Sequence, residues 1–278
     1  GKLALVRAGE QPFGKYLDSV AGALNFVLFA PGREFGSPQS MSLEAAFVDA
    51  ATAIYPNNRA NVFVSYYPYG EVVALALDLT LREKFEGVTL DDYMRLLWAK
   101  HGKTEKPYAP EDLKTALAEV AGDAAFASEF FAAYIEDGAL PDFAPLFAQA
   151  GLKLEPADPE KATLGPVSFE ENGGGLVLTS GTRIGSPLYK AGIDRGDRIL
   201  KVGRFKTDSE GDWEKALKRH APGERAVIEF ESRGAARKAE VVFAGGETLK
   251  LTPYEDADMD LTDAHKAFRE SWLKVAAE

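Results

Sequence analysis

The spacing of apolar residues changes once along this chain, near residue 152, and that change restricts the folds the chain can adopt. Before this point apolar residues recur at helical intervals, in segments separated by glycine and proline. Beyond it, short β-branched runs alternate with glycine. A length of 278 residues suits two domains better than one. The pattern therefore predicts a multidomain α and β fold that begins with an all-α domain.

We place the domain limits at residues 1–155, 156–252 and 253–278. The first range is the helical domain, the second is β-rich, and the third holds a C-terminal helix that packs back on the domains. Residues 152–166 are rich in Pro, Asp, Glu and Lys, so we place the boundary between the first two domains there. The C-terminal helix is expected at residues 262–276.

Local signals mark several helix ends in the first half. Thr89 and Asp92 have the spacing of a capping box, Pro110 precedes two acids as at a helix start, and Gly138 and Gly151 follow helical patterns. A cap at Ser42 is expected for one helix. We predict helices at about residues 16–29, 43–55, 69–82, 90–100 and 143–150.

The second half predicts short strands and one helix. Strands are expected at residues 176–178, 198–202, 226–230 and 239–243. The helix is expected at residues 212–220, capped by Asp208 or Ser209. Three glycines at 173–175 are interpreted as a hairpin loop, because no Lys-Ser or Lys-Thr pair follows them as in a phosphate-binding loop.

Composition excludes several kinds of function. The net charge is −11, without a Lys/Arg cluster, which argues against nucleic acid or an anionic membrane as the main partner. The absence of cysteine excludes disulfides, thiolate metal sites and a cysteine nucleophile, and it suits the bacterial cytoplasm and periplasm alike. The longest apolar run, residues 21–30, is far below the roughly 20 residues of a membrane span.

The most specific motif is GSPLYKAGIDRGDRIL at residues 185–200. Gly192 and Gly196 lie where the chain must turn tightly, Ile193 would fill the core, and Asp197 can accept hydrogen bonds from loop amides. The motif resembles the core of a PDZ domain, and the resemblance extends over about residues 162–251. It implies a PDZ-like β-barrel domain, and the alternative is a generic turn and strand unit.

PDZ domains of the bacterial protease type bind a peptide C-terminus by strand addition, with the carboxylate held by N–H groups of a short loop. The resemblance implies a peptide-binding set formed by Leu164, Gly165, Pro166, Val167, Ser168 and Phe169. Pro166 departs from the family pattern and removes one N–H donor from the loop. A peptide-binding role and a purely structural role are therefore both open.

A second resemblance covers nearly the whole chain. It is carried by LALVRAG at residues 3–9, SYYPYGEVVALALDLTLR at 65–82, TLDDYMR at 89–95 and RESWL at 269–273. In order and spacing these segments are similar to the glycyl aminopeptidase family of gluzincin zinc metallopeptidases. Members of that family hydrolyse peptides, and the resemblance implies a peptide substrate for the parent protein.

Gluzincins bind zinc through an HExxH helix and a downstream Glu. None of the three histidines, His101, His220 and His265, is followed by the required Glu-x-x-His, so no metal ligand and no cofactor are expected in this chain. In the family the third ligand lies just before the LALVRAG-like stretch. The resemblance therefore implies that zinc belongs to a missing N-terminal half, and that this fragment alone is inactive.

One catalytic residue is implied by the resemblance. Related enzymes have a tyrosine that donates its phenol O–H to the oxyanion formed when zinc-bound water attacks the peptide carbonyl. The matching residue is Tyr67, three positions before Gly70, with Tyr69 in place of the usual Lys. The alternative is that Tyr66, Tyr67 and Tyr69 are packing residues at a helix start.

These observations predict the C-terminal fragment of a zinc-dependent aminopeptidase with a PDZ module for peptide or interdomain contacts. The alternative is a non-catalytic peptide-binding scaffold protein. The expected partners are the substrate of the parent, a peptide C-terminus at the PDZ groove, and the missing N-terminal half.

Overall fold

The computed structural model describes residues 1–48 and 58–274, which form a mixture of helices and strands. The first part is helical, apart from a 3-10 turn at Pro31–Glu34 and two π-helical turns at Trp98–Gly102 and Ala132–Glu136. Its helices are α1 (Lys2–Arg7), α2 (Phe13–Leu28), α3 (Pro38–Leu43), α4 (Ala45–Val48), α5 (Arg59–Val62), α6 (Tyr66–Lys84), α7 (Leu90–Leu97), α8 (Pro110–Ala121), α9 (Ala124–Phe131) and α10 (Phe143–Ala148).

The second part contains all the strands found among the described residues. They are β1 (Leu152–Pro156), β2 (Phe169–Glu171), β3 (Leu176–Leu178), β4 (Arg198–Val202), β5 (Phe205–Lys206), β6 (Arg225–Ser232), β7 (Ala235–Val242) and β8 (Leu249–Pro253). Three helices accompany them: α11 (Pro187–Lys190), α12 (Glu210–Leu217) and α13 (Asp263–Leu273). Within the described ranges, none of the helices has the length and apolarity needed to span a membrane.

Most helix signals are confirmed, and one is wrong. Thr89 and Asp92 form the capping box of α7, and Ser209 caps α12. Where one helix was expected at residues 43–55, the structure has α3, which ends at Leu43, and the separate helix α4, which begins at Ala45. Ser42 is not an N-cap, because it lies inside α3. The cap of α3 is Ser37, whose side chain accepts a hydrogen bond from the N–H of Ser40. Residues 49–57 of the expected helix, and those beyond 274 of the last one, lie outside the described residues.

Helices α2 and α6 form the centre of the first hydrophobic core. Val20, Leu24 and Val27 recur along one face of α2, and they pack with buried residues of α6 such as Val72 and Leu79. Spacings of three and four residues place such side chains on one face of a helix. This core also includes residues of β1, β8 and α13, so the end of the chain contributes to the helical part.

The stretch in which we place the domain boundary begins with a strand. Residues of β1 pair antiparallel with β8, with Leu152 opposite Pro253 and Leu154 opposite Leu251. Alternation in both strands directs Leu152 and Leu251 into the helical core. The first five residues of this stretch therefore pack with the helical part.

The other strands form an open sheet. Its order is β2-β3-β4-β6-β7, with β5 paired to β4, so β2 and β7 are its edges. The expected closed β-barrel is not formed by the described residues. Ile199, Ile228 and Phe230 lie in a second core on one side of this sheet, together with Trp213 of α12. The hairpin expected at glycines 173–175 is confirmed, because β2 and β3 pair on either side of it.

Candidate functional site

Three neighbouring tyrosines at the start of α6 have different environments. Tyr69 is fully buried, and its O–H donates to the Gly138 carbonyl at 3.0 Å. Burial raises the pKa of Tyr69, so its phenol remains a donor at neutral pH. Tyr66 packs against a small cluster of Met41, Val48 and Phe63. Tyr69 and Tyr66 are therefore packing residues at the start of the helix, as the alternative to a catalytic role predicts.

Tyr67 differs because it faces solvent. It is 71% exposed, and its ring centroid lies 4.5 Å from that of Tyr66. The nearby helices α3 and α4 expose two further large apolar residues, Leu43 at 76% and Phe47 at 65%. A phenol in this position can reach a molecule outside the described residues, and its catalytic role stays a prediction.

The predicted carboxylate loop has few main-chain donors left. Leu164 is buried, and the N–H of Gly165 donates to Thr163 Oγ1 at 3.1 Å. Gly165 has φ +106°, and a Cβ there would lie 2.6 Å from the Cβ of Ser186, so only glycine fits. Pro166 has no N–H, so neither Gly165 nor Pro166 has a main-chain donor left for a carboxylate.

The edge beside β2 is covered by side chains of the same chain. The Phe169 ring packs edge-on against Trp213 of α12, with centroids 4.9 Å apart. Glu171 Oε1 accepts a hydrogen bond from the N–H of Glu210, the first residue of that helix, at 3.1 Å. Ser168 pairs with the neighbouring strand segment, since its carbonyl accepts the N–H of Thr179 at 2.9 Å. A peptide strand added here would have to displace the contacts between β2 and α12.

The three histidines belong to separate local structures. His101 packs edge-on against Tyr108, His220 stacks on Phe243, and His265 accepts the N–H of Thr262 at the start of α13. Among residues 1–48 and 58–274, no group of three or more His, Asp or Glu is arranged to hold a metal ion. The residues described here therefore do not fit a zinc site.

Two asparagines of the helical part bind main-chain groups of distant segments, and no local sequence signal marks either of them. Asn61 is buried, and its Nδ2 donates to the Thr182 carbonyl at 2.9 Å while its Oδ1 accepts the N–H of Ile184 at 2.9 Å. Asn25 makes the same two bonds with Leu249, at 2.8 Å to its carbonyl and 2.7 Å from its N–H. Asn61 thus joins the helical part to the β-rich part, whereas Asn25 binds β8, which packs in the helical core.

A glycine allows the close packing that positions Asn61. The 3-10 turn at Pro31–Glu34 lies against α5, and a Cβ on Gly32 would be only 2.8 Å from the Phe63 nitrogen. Glycine at this position therefore lets the turn approach the main chain of α5 and its C-terminal end. This contact fixes α5, which carries both Arg59 and Asn61, beside the β-rich part.

Comparison with solved structures identifies the fold. The chain matches the crystal structure of an aminopeptidase N family protein from Idiomarina loihiensis with a TM-score of 0.80 and 21% identity. The match covers 99% of this chain and 46% of the other. The chain has an aminopeptidase-like fold. It spans less than half the length of that relative.

Other comparisons add no further assignment. Neither a protein-family model nor a curated protein matches the chain. The HtrA-type protease AlgW matches 31% of this chain and 29% of its own, with 16% identity and a TM-score of 0.29. A serine endoprotease from Yersinia pestis also matches 31% of this chain and 30% of its own, with 18% identity and a TM-score of 0.27.

Proposed function

We propose that this chain is the C-terminal portion of a zinc-dependent aminopeptidase of the gluzincin type. The observation that carries the proposal is the similarity of fold to the aminopeptidase N family protein along 99% of the chain. That relative is more than twice as long as the matched region, so in this proposal the metal ligands lie in a part of the parent protein outside this chain. The proposed domain limits are residues 1–155, 156–252 and 253–278.

In this proposal Tyr67 acts on the substrate of the intact enzyme. Its exposed phenol would donate a hydrogen bond to the oxyanion that develops on the peptide carbonyl. The exposed Leu43 and Phe47 near it are apolar surface of the kind that another part of the protein covers. The N-terminal portion of the parent is the proposed partner for this surface.

The β-rich part is proposed as a PDZ-like module that serves interdomain contact. Support comes from the bonds of Asn61 to its main chain, and from the packing of Phe169 on Trp213 beside β2. The loop at Pro166 has few main-chain N–H groups left to bind a peptide carboxylate, which also favours a role in interdomain contact. On this basis we do not propose strand addition at β2 as the main function of the chain.

The experiment compares variants of the intact parent protein on short peptide substrates. Tyr67→Phe removes a hydrogen bond made mainly in the transition state, so kcat should fall roughly a hundredfold while KM changes little. Tyr189→Phe is the matched control, because Tyr189 is also an exposed tyrosine but lies on α11 of the β-rich part. Unchanged kcat in Tyr67→Phe would remove the catalytic assignment, and absence of peptidase activity in the intact parent would remove the proposed function.

A further inference from the structure

Strand β7 forms one edge of the open sheet, and half of its residues face away from its neighbour β6. The carbonyl of Val227 in β6 accepts the N–H of Gly203, which follows β4, at 2.9 Å, so Val227 faces β4. Its partner in β7 is Glu240, which therefore makes no ladder bond to β6. Successive residues of a strand point their main-chain groups to opposite sides. The residues of β7 that face away from β6 are Ala236, Lys238, Glu240 and Val242.

We call these four residues the open edge. The next residue in the same row, Ala244, already pairs with Thr163, and each N–H donates to the carbonyl of the other, at 3.0 and 2.8 Å. Within residues 1–48 and 58–274, no strand and no hydrogen bond covers the main chain of the open edge itself. The edge is also regular, because β7 pairs with β6 in one register over eight residues and contains neither proline nor glycine. A regular edge with unpaired groups is a template for another strand.

The exposed face of the sheet carries charges of alternating sign up to this edge. Glu229 of β6 pairs with Lys201 of β4 at 2.9 Å and with Lys238 of β7 at 2.8 Å. On the same face, Glu240 of β7 pairs with Arg225 of β6 at 2.6 Å. One row therefore ends at the edge on a positive charge, and the next row ends on a negative charge two residues further along.

We infer that two copies of this chain pair through β7, with Lys238 of each copy opposite Glu240 of the other. A two-fold axis perpendicular to the sheet makes the pairing antiparallel and uses the same edge on both copies. An axis at residue 238 or 240 would place two like charges directly opposite each other, which is destabilising. An axis at Ala239 places opposite charges together, and each such pair of residues exchanges two main-chain bonds. The alternation of charge then continues from one copy into the other.

This dimer should be weak and sensitive to salt. One strand of each copy forms the contact, and its charged side chains are exposed, Lys238 at 70% and Glu240 at 57%. Exposed ion pairs contribute little at high ionic strength, because salt screens them. The inference does not rest on the proposed peptidase activity, because it concerns only the edge of the sheet.

The test measures the mass of this chain by sedimentation equilibrium over a series of concentrations at low salt. The wild type should approach twice the monomer mass as concentration rises. Lys238→Glu and Glu240→Lys each place like charges opposite each other, so each should weaken self-association about tenfold. An equimolar mixture of the two variants should associate as the wild type does, because every charge then meets one of opposite sign. Lys215→Glu, an equal change of charge at an exposed residue of α12, is the matched control and should associate as the wild type does.

Amide hydrogen exchange in the wild type tests the main-chain pairing without any substitution. The N–H groups of Lys238 and Glu240 should exchange severalfold more slowly at high protein concentration than at low concentration. The N–H of Ala239 faces β6 and should not change. A wild type that stays monomeric, single variants that associate as the wild type does, or a mixture that does not associate would overturn the inference. So would a dimer in which the amides of Lys238 and Glu240 are not slowed, because another surface would then form the contact.

Discussion

Asn61 shows how much a single buried side chain contributes to the arrangement of this molecule. Its amide is almost completely buried and makes one bond within its own segment and two to the β-rich part. Buried polar groups are tolerated only when they are paired, so the position is closely matched to its partners. Replacing the amide leaves a main-chain N–H and a carbonyl without a partner.

Asn61→Ala should therefore lower the free energy of unfolding by about 2 to 3 kcal/mol, the sum expected for two buried unpaired groups. Urea unfolding monitored by circular dichroism measures the change. Asn172→Ala is the control, because Asn172 is exposed near the β2–β3 hairpin and should have an effect below about 0.5 kcal/mol. An equally small effect for Asn61→Ala would show that the amide bonds do not stabilise the fold.

Residues with a local or family signature could be singled out from the sequence. Tyr67, which lies at the surface, and Pro166, which removes a donor, are of this kind. The roles of Asn61 and Asn25 could not be predicted, because their partners lie 121 and 224 residues away. An asparagine in a helical stretch has no local feature that separates such a role from an ordinary polar position.

Among the elements, α7 shows the clearest relation between sequence and local structure. The Thr89 side chain accepts the N–H of Asp92, and Asp92 Oδ2 accepts both the N–H and the Oγ1–H of Thr89, at 2.9 and 2.6 Å. Burial opposes ionisation of Asp92, but the bonds from Thr89 and the charge of Arg95 outweigh it and lower its pKa. The stability that ionised Asp92 contributes is fully present at pH values above the pKa of an Asp in the unfolded chain. It is lost as pH falls through the lowered pKa of Asp92 in the folded protein.

Thr89→Ala should lower the free energy of unfolding by about 1 kcal/mol at pH 7, as for other N-cap residues. The loss should be smaller at an acid pH below the lowered pKa of Asp92, because the carboxyl is then protonated and its bond from Thr89 Oγ1 contributes less. Unfolding at the two pH values and a carbon-detected titration of Asp92 measure both effects. Thr89→Ser keeps the cap and should match the wild type, whereas an equal loss at both pH values would contradict the role of Asp92.

Strands β1 and β8 were not predicted from the sequence. Each has an alternating sequence, LKLEP at residues 152–156 and LKLTP at 249–253, and the two segments pair with each other. Five residues are too short to predict a strand with certainty when the partner is nearly 100 residues distant. Helix ends were found more readily because their signals, such as Thr89 with Asp92, lie within one turn.

At the scale of the whole molecule, the last helix joins the first elements of the chain. Trp272 of α13 is fully buried in the helical core, with its ring centroid 5.7 Å from that of Tyr16 on α2. The Trp272 carbonyl accepts from the guanidinium of Arg7, and Arg82 donates to the Ser271 carbonyl. Through these contacts α13 packs on the first helices of the chain.

Trp272→Ala should lower the free energy of unfolding by about 3 to 5 kcal/mol, because it leaves a large cavity in the main core. Trp272→Phe should lower it much less. The indole N–H of Trp272 is buried without a hydrogen-bond partner among the described residues, so its removal offsets part of the lost packing. Chemical denaturation of both variants tests this order, and equal losses would contradict the packing role of the ring.

The bonds of Asn61 have a consequence for how the sequence of this protein can change. Its amide contacts a carbonyl and an N–H of the β-rich part, and every residue except proline provides both groups. Side chains at positions 182 and 184 can therefore be exchanged without loss of these bonds, provided that the backbone keeps its course. We expect a transplanted module of unrelated surface sequence to join the helical part equally well, whereas proline at position 184 would prevent it.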